Sequence, residues 1–98
     1  MNDYLLLMHD DAPPGREAPE AWPDYFARLH RADAFAGGSS IGDGLCMAKS
    51  QPAPAITRHL TGYIRIRAAD LASAQALVAG NPVFEAGGTV EIRELPRD

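Results

Sequence analysis

The strict alternation of apolar and polar residues at positions 61–67 constrains the fold more than any other feature of the sequence. Isoleucines occupy alternate positions, and the positions between them hold Tyr63, Arg65 and Arg67. Successive side chains of a β-strand point to opposite faces, so this segment is predicted to be a strand with one buried and one polar face. A sheet built from such strands needs helices on its apolar side and leaves its polar side for solvent or a partner.

Three other segments are predicted to be strands. Residues 4–9 form an apolar run of strand length, and residues 89–95 alternate between apolar and charged side chains. Residues 39–48 hold two glycines among apolar residues, which favours a second strand that is bent or bulged at Gly42 or Gly44. The Pro-rich residues 49–55 are expected to form an exposed loop between the two halves.

Two segments have helical character. Residues 19–36 place apolar side chains at spacings of three and four, and Gly37 and Gly38 are predicted to end this helix. Its aromatic stripe of Trp22, Tyr25 and Phe26 is predicted to be core. Asp70 is a suitable N-cap for a second helix, which residues 80–82 (Gly-Asn-Pro) are predicted to end.

The predicted order of elements is β-α-β followed by β-α-β, within one domain of residues 1–98. This order predicts an α+β, ferredoxin-like split βαβ fold with an antiparallel sheet and both helices on one face. A chain of 98 residues buries a modest share of its surface, and small domains often gain stability by oligomerising. We therefore expect a homodimer in which two sheets face each other as a dimeric α/β barrel. The polar sides that would face each other hold Tyr63, Arg65, Arg67, Glu91 and Arg93, where Arg65 or Arg67 can pair with Glu91. A solvated polar face on a monomer is the alternative.

Charge and cysteine content exclude several kinds of partner. The formal net charge is −4 with acidic and basic residues interleaved, so a nucleic-acid partner is not expected, although the late arginines leave room for a small anion. The lone Cys46 allows no internal disulfide and is read as an inert thiol, which favours a reducing cytoplasm. The apolar run at residues 4–8 is too short to span a membrane, and the acidic Asp3 before it does not suit a signal peptide.

The order of several short motifs resembles that of YCII-related proteins. The motifs are the opening Asp-Tyr-Leu-Leu-Leu-Met at residues 3–8, the Leu-Thr-Gly-Tyr at 60–63, the Asp-Leu at 70–71, the Asn-Pro at 81–82, and the Val-Glu-Ile-Arg-Glu-Leu at 90–95. The second half also resembles the DGPF subgroup. The resemblance spans nearly the whole chain and implies a dimeric α/β barrel.

Two departures limit what this resemblance implies. The Asp-Gly-Pro-Phe tetrapeptide is absent, and a shorter Pro-rich stretch stands between Ala48 and Leu60. The YCII branch is associated with a histidine near the start of the first helix and a nearby aspartate, but residues 20–24 contain no histidine. Histidine and aspartate chemistry is therefore not carried over to this chain.

Three histidines are candidates for acid/base catalysis, because imidazole titrates near neutral pH. His59 precedes the polar face of Tyr63, Arg65 and Arg67 and is the first candidate, with these three as candidate ligand-binding residues. The other catalytic candidates are His9, His30 and Asp33.

His9, His30 and Asp33 also have simpler, non-catalytic interpretations. His30 and Asp33 are three residues apart on the predicted helix, where they form either a catalytic dyad or an ordinary exposed pair. His9 lies beside Asp10 and Asp11 at the end of the first strand, but adjacent loop residues seldom converge on a metal, so no metal site is predicted. The glycine-rich residues 37–44 lack the ending of a phosphate loop.

The leading hypothesis is a homodimeric barrel that uses general acid/base chemistry on a small polar or anionic metabolite, without a cofactor. The competing hypotheses are a non-catalytic ligand-binding or accessory dimerisation domain and a structural subunit of a larger complex. Fold alone does not decide between them, because one architecture hosts many functions.

Overall fold

A computed structural model describes residues 1–97 of the chain. The fold is α+β, with one four-stranded antiparallel sheet and three short helices. The strands are β1 (Asn2–His9), β2 (Phe35–Ser40), β3 (Leu60–Ala68) and β4 (Val90–Leu95). The helices are α1 (Trp22–Arg31), which follows a 3-10 turn at Pro19–Ala21, α2 (Leu71–Ala76) and α3 (Pro82–Glu85). This content of strands and helices agrees with the predicted α+β class.

The sheet has the strand order β2-β3-β1-β4, and every neighbouring pair is antiparallel. Each strand-helix-strand half therefore skips one position, and the strand of the other half fills the gap, which is consistent with a ferredoxin-like class. The register places Leu6 of β1 opposite Ile64 of β3 and Ile92 of β4. Strands β1 and β3 occupy the centre of the sheet.

The hydrophobic core lies between the sheet and the helices. Leu6, Leu29, Ile64 and Ile66 are at most 1% exposed, and the buried Tyr25 packs with them. Burial of each large aliphatic side chain contributes roughly 1.5–3 kcal/mol. The predicted alternation in β3 is confirmed, since its isoleucines are buried whereas its arginines are exposed.

The first helix ends earlier than the sequence predicted. Helix α1 stops at Arg31, where the backbone N–H groups of Asp33 and Ala34 donate to the carbonyls of His30 and Leu29. Asp33 has a φ of 53°, a left-handed conformation that aspartate tolerates better than most residues. The prediction that Gly37 and Gly38 end this helix was wrong, because both lie within β2.

The second strand also begins and ends earlier than predicted. Strand β2 covers Phe35–Ser40, so the predicted bulge at Gly42 or Gly44 was wrong and the register irregularity lies between Phe35 and Gly38. A Cβ atom on Gly38 would lie 2.7 Å from the backbone oxygen of Tyr63, so this position requires glycine. The half-buried Cys46 lies in an irregular segment and not in a strand.

The second half of the chain follows its capping signals. The Asp70 carboxylate accepts a hydrogen bond of 2.8 Å from the Ser73 N–H, which confirms the predicted N-cap of α2 and lowers the pKa of Asp70. The fully buried Asn81 begins a further helix, α3, that the sequence did not predict. Its side-chain oxygen accepts from the N–H groups of Val83 and Phe84.

Two side chains of α1 connect it to the end of α2. The Tyr25 hydroxyl donates a hydrogen bond of 2.7 Å to the Leu77 carbonyl. The Arg28 guanidinium donates to the carbonyls of Ala79 and, at 3.3 Å, Ala76. A cation suits the C-terminal end of a helix, where the last carbonyls lack partners. The two helices are thus fixed to each other on one side of the sheet.

No helix among residues 1–97 is long and apolar enough to cross a membrane.

Candidate functional site

The sheet face opposite the helices is partly polar and partly apolar. Strand register assigns to this open face the set predicted from the sequence, which is Tyr63, Arg65, Arg67, Glu91 and Arg93. The half-buried Leu5 and Leu7 of β1 lie between these residues at the centre of the face. Leu5 stands opposite Arg65 and Arg93, and Leu7 stands opposite Tyr63 and Glu91. The centre of β1 is therefore apolar on both of its faces.

A histidine and a carboxylate meet at one end of this face. Glu91 of β4 is opposite Leu7, and His9 lies two residues further along β1 on the same face. Such diagonal neighbours are within reach of long side chains. The Nε2 atom of His9 lies 3.0 Å from Oε1 of Glu91, and the His9 side chain is only 16% exposed.

Glu91 is held in its ionised form. The Arg93 guanidinium donates to Oε2 of Glu91 at 3.1 Å, and this contact, together with the one from His9, lowers the pKa of the Glu91 carboxyl. An ionised carboxylate accepts hydrogen bonds only, so the neutral His9 ring carries its proton on Nε2. The lone pair then resides on Nδ1. The carboxylate thus fixes the tautomer of the imidazole.

A second histidine is packed against the first. The ring centroids of His9 and His59 are 4.8 Å apart, and their planes are inclined by 41°. The backbone holds the two together, since the Asp10 N–H donates at 2.6 Å to the His59 carbonyl where β1 ends and β3 begins. His59 is exposed, and its ring lies against that of His9 at the edge of the His9–Glu91 pair.

The loop that leaves β1 is attached to β4 by Asp11. Its carboxylate accepts 2.8 Å and 2.6 Å hydrogen bonds from the backbone N–H and the hydroxyl of Thr89, which lower the pKa of Asp11. The His9 N–H also donates to the Thr89 carbonyl at 3.0 Å. These contacts fix the strand end that carries His9.

A small cleft adjoins the dyad. Its volume is about 190 Å³, and its walls include His9, Asp10, Glu17 and Trp22. Pro82 and Val83 of α3 and the Ala86 that follows it also line this cleft. The half-buried His9 is thus one of the residues that border a cleft, which is where bound small molecules contact proteins.

A larger cleft lies between α1 and the sheet. Its volume is about 440 Å³, and it is bordered by Trp22, Phe26 and Phe35 together with Ile64 and small residues of β2 and β3. Trp22 stacks on Phe26 at 5.4 Å between ring centroids, and both are half-buried. The prediction that the aromatic stripe is core holds for the buried Tyr25, and the half-buried Trp22 and Phe26 pack against the core and also border this cleft.

The other predicted site residues lie elsewhere. His30 is exposed and packs against Phe35 at 4.7 Å between ring centroids. Among residues 1–97, no hydrogen bond or ion pair joins its side chain to that of Asp33, so the two do not form a dyad. Arg65 lies 3.9 Å from the Asp3 carboxylate, at the opposite end of the face from His59. Six residues of extended strand span about 20 Å, so His59 and Arg65 do not converge within one subunit.

Glu91 is the site residue whose role the sequence did not indicate. It was predicted to lie on the open face and to pair with Arg65 or Arg67, whereas within the chain it pairs with Arg93 and His9. The pairing depends on the register between β1 and β4, which joins positions 82 residues apart. Alignment of Leu6 with Ile92 as core partners would have brought His9 and Glu91 together.

In the part of the chain that the structure describes, no group of three or more potential ligands is arranged to hold a metal ion. In comparisons with known proteins, no family model matches the chain, and no curated protein matches it. The resemblance to YCII-related proteins therefore stays a prediction.

Proposed function

We propose that this protein is a YCII-related, homodimeric α/β barrel of the cytoplasm that uses general acid/base chemistry on a small polar metabolite. In this proposal His9 transfers the proton, Glu91 orients the imidazole ring of His9, and His59 borders the same site. The observation that carries the proposal is the 3.0 Å contact between His9 Nε2 and Glu91 Oε1 beside a cleft.

The arrangement suits proton transfer in both directions. With the proton of the neutral ring on Nε2, the Nδ1 lone pair of His9 accepts a proton from a substrate. The imidazolium that forms is stabilised by the ionised Glu91, and it returns the proton to the product or to a leaving group. A positioned general base typically contributes 10²–10⁴-fold in rate.

A metabolite screen tests this role. Wild-type protein, His9→Ala and the matched control His30→Ala are incubated with a panel of small polar metabolites, and turnover is followed by mass spectrometry. We expect turnover by the wild type and by His30→Ala, and a rate at least ~100-fold lower for His9→Ala. Equal turnover by His9→Ala and the wild type contradicts the role of His9.

The dimer is supported by the open face. The central Leu5 and Leu7 are uncovered by the helices, and the face carries the basic Arg65 and Arg93 beside Leu5 and the acidic Glu91 beside Leu7, so two copies related by a two-fold axis can bury the leucines and pair opposite charges. Light scattering should give twice the chain mass of 10.5 kDa. Leu7→Glu should reduce the measured mass to that of a monomer, because it places a second negative charge next to Glu91 in the dimer interface. Leu71→Glu, on the exposed side of α2, is the control and should leave the mass unchanged.

A non-catalytic ligand-binding domain is the second candidate. It is favoured by the larger cleft, whose walls are mainly aromatic and aliphatic and whose volume lies within the range of small-molecule sites. This candidate predicts ligand binding without turnover in the same screen, with equal binding by the wild type and His9→Ala.

A further inference from the structure

We propose that the two clefts form one continuous site for a small molecule with an apolar, aromatic-sized body and a cationic head. This inference rests on the proposed function, since it places the head beside His9 and names the substrate class for that site. The argument depends on how the clefts meet, on the apolar lining of one, and on the charge of the other.

The clefts share part of their walls. Trp22, Thr61 and Val83 border both of them. Where the two clefts meet, Thr61 of β3 forms the wall on the sheet side, and Trp22 of α1 and Val83 of α3 form the wall on the helix side. A molecule that occupies the larger cleft therefore lies directly next to the smaller one.

The larger cleft suits the body of the ligand. At about 440 Å³ it is well above the ~150 Å³ of an apolar cavity that accommodates benzene. Three aromatic rings surround it, those of Trp22, Phe26 and Phe35, and Phe26 meets Phe35 edge-on at 5.6 Å. Rings in this arrangement present both faces and edges to an aromatic guest.

The smaller cleft suits a cation. Its lining holds two carboxylates, Asp10 and Glu17, and within residues 1–97 it holds no lysine or arginine. Trp22 adds the aromatic ring that binds cations best. The arginines on which an anion site was expected lie on the open face, where Arg65 pairs with Asp3 and Arg93 pairs with Glu91. The structure thus favours a cationic substrate over an anionic one.

Trp22 makes the inference measurable, because it is the only tryptophan of the chain and lies where the clefts meet. We would titrate the dimer at pH 8 with 2-phenylethylamine, 2-phenylethanol and phenylacetate, which share a body and differ in head charge, and follow Trp22 emission. The amine should change the emission at the lowest concentration and phenylacetate at the highest. Glu17→Gln should weaken amine binding about fivefold, the effect of removing one ion pair in a hydrated site, and leave the alcohol unchanged.

One further variant, Ser40→Phe, tests the larger cleft, and two control variants, Glu20→Gln and Ser50→Phe, lie outside both clefts. Glu20→Gln lies outside the cleft and should leave all three affinities unchanged. Ser40→Phe places a ring at the edge of the larger cleft and should weaken all three probes alike, whereas Ser50→Phe, in the irregular segment, should not.

The outcomes also distinguish this inference from the proposed function. Amine binding is measured on the wild type by Trp22 emission, so its outcome is independent of whether His9→Ala loses turnover in the metabolite screen. Tighter binding of phenylacetate than of the amine, or equal binding of the two, overturns the cationic head. No emission change with any probe overturns the continuous site, and neither result alters the outcome of the turnover screen.

Discussion

The hydrogen bond from Tyr25 to Leu77 gives a prediction whose magnitude follows from the structure. Tyr25 is 2% exposed, and its hydroxyl donates at 2.7 Å to the carbonyl at the end of α2. Tyr25→Phe keeps the ring in the core and removes only this donor. A typical intramolecular hydrogen bond contributes about 0.5–1.5 kcal/mol to the free energy of unfolding. Because Leu77 is half-buried and water can replace part of the lost bond, we expect a loss of ~1 kcal/mol and a Tm lower by about 4–8 °C.

The same residue gives the prediction a pH dependence. Burial raises the pKa of the Tyr25 hydroxyl above its usual value. Below about pH 10 the tyrosine is neutral in both the folded and the unfolded state, so its contribution to stability is fully present. Above pH 10 the unfolded state loses the proton first, and this contribution falls as the pH approaches the folded-state pKa. Tyr25→Phe removes that part of the alkaline loss.

Urea unfolding followed by circular dichroism at pH 7 and pH 10.5 measures both effects. Tyr63→Phe is the matched control, because Tyr63 lies on the open face and should change stability by less than about 0.5 kcal/mol. A Tyr25→Phe protein as stable as the wild type at pH 7 would refute the hydrogen-bond argument. An unchanged difference between pH 7 and pH 10.5 would refute the titration argument.

Two further predictions concern the sheet and the loop that carries the site. Asp11→Asn should reduce the loss of stability on acidification. The lowered pKa of Asp11 stabilises the folded state above about pH 4, and this contribution disappears as the pH falls through the folded-state pKa. Urea midpoints of both proteins at pH 7 and pH 3 measure the effect, and an equal difference between the two pH values in both proteins contradicts the prediction. Gly38→Ala should destabilise by about 1–3 kcal/mol through its close approach to the Tyr63 backbone, whereas Gly42→Ala, which meets open space, should cost much less; equal Tm values for the two variants would refute this.

The parts of the fold with strict periodicity were predictable from the sequence. The alternation in β3 and β4 identified both faces of the sheet, which the burial pattern of β3 and the register of β4 with β1 bear out. Burial on one face selects apolar residues at every second position. The Asp70 cap was equally clear, since a side-chain oxygen before an apolar helical pattern has a specific local partner.

The region between α1 and β2 could not be predicted in the same way. The chain turns at Asp33, a residue that adopts the left-handed conformation only when its surroundings require it, and two nearby glycines offered a stronger local signal. Those glycines serve the sheet, where Gly38 permits close approach to β3. Tertiary packing decided these positions.

Individual site residues were identifiable, but their combination was not. Histidines attract attention by their chemistry alone, and His9 and His59 were both candidates. Their contact with each other, and that of His9 with Glu91, depends on the register of three strands, which local sequence does not encode. The pairing of His30 with Asp33 required a helix that continues at least to Asp33, and α1 ends at Arg31.

The central claim is that Glu91 holds His9 in the tautomer required for proton transfer. Long-range ¹H–¹⁵N correlation spectra of the histidine rings, recorded for the wild type and for Glu91→Ala, test it directly. The account predicts that neutral His9 carries its proton on Nε2 in the wild type and loses this preference in Glu91→Ala, while His30 is the same in both proteins. A His9 ring protonated on Nδ1 in the wild type, or the same tautomer in both proteins, would contradict it.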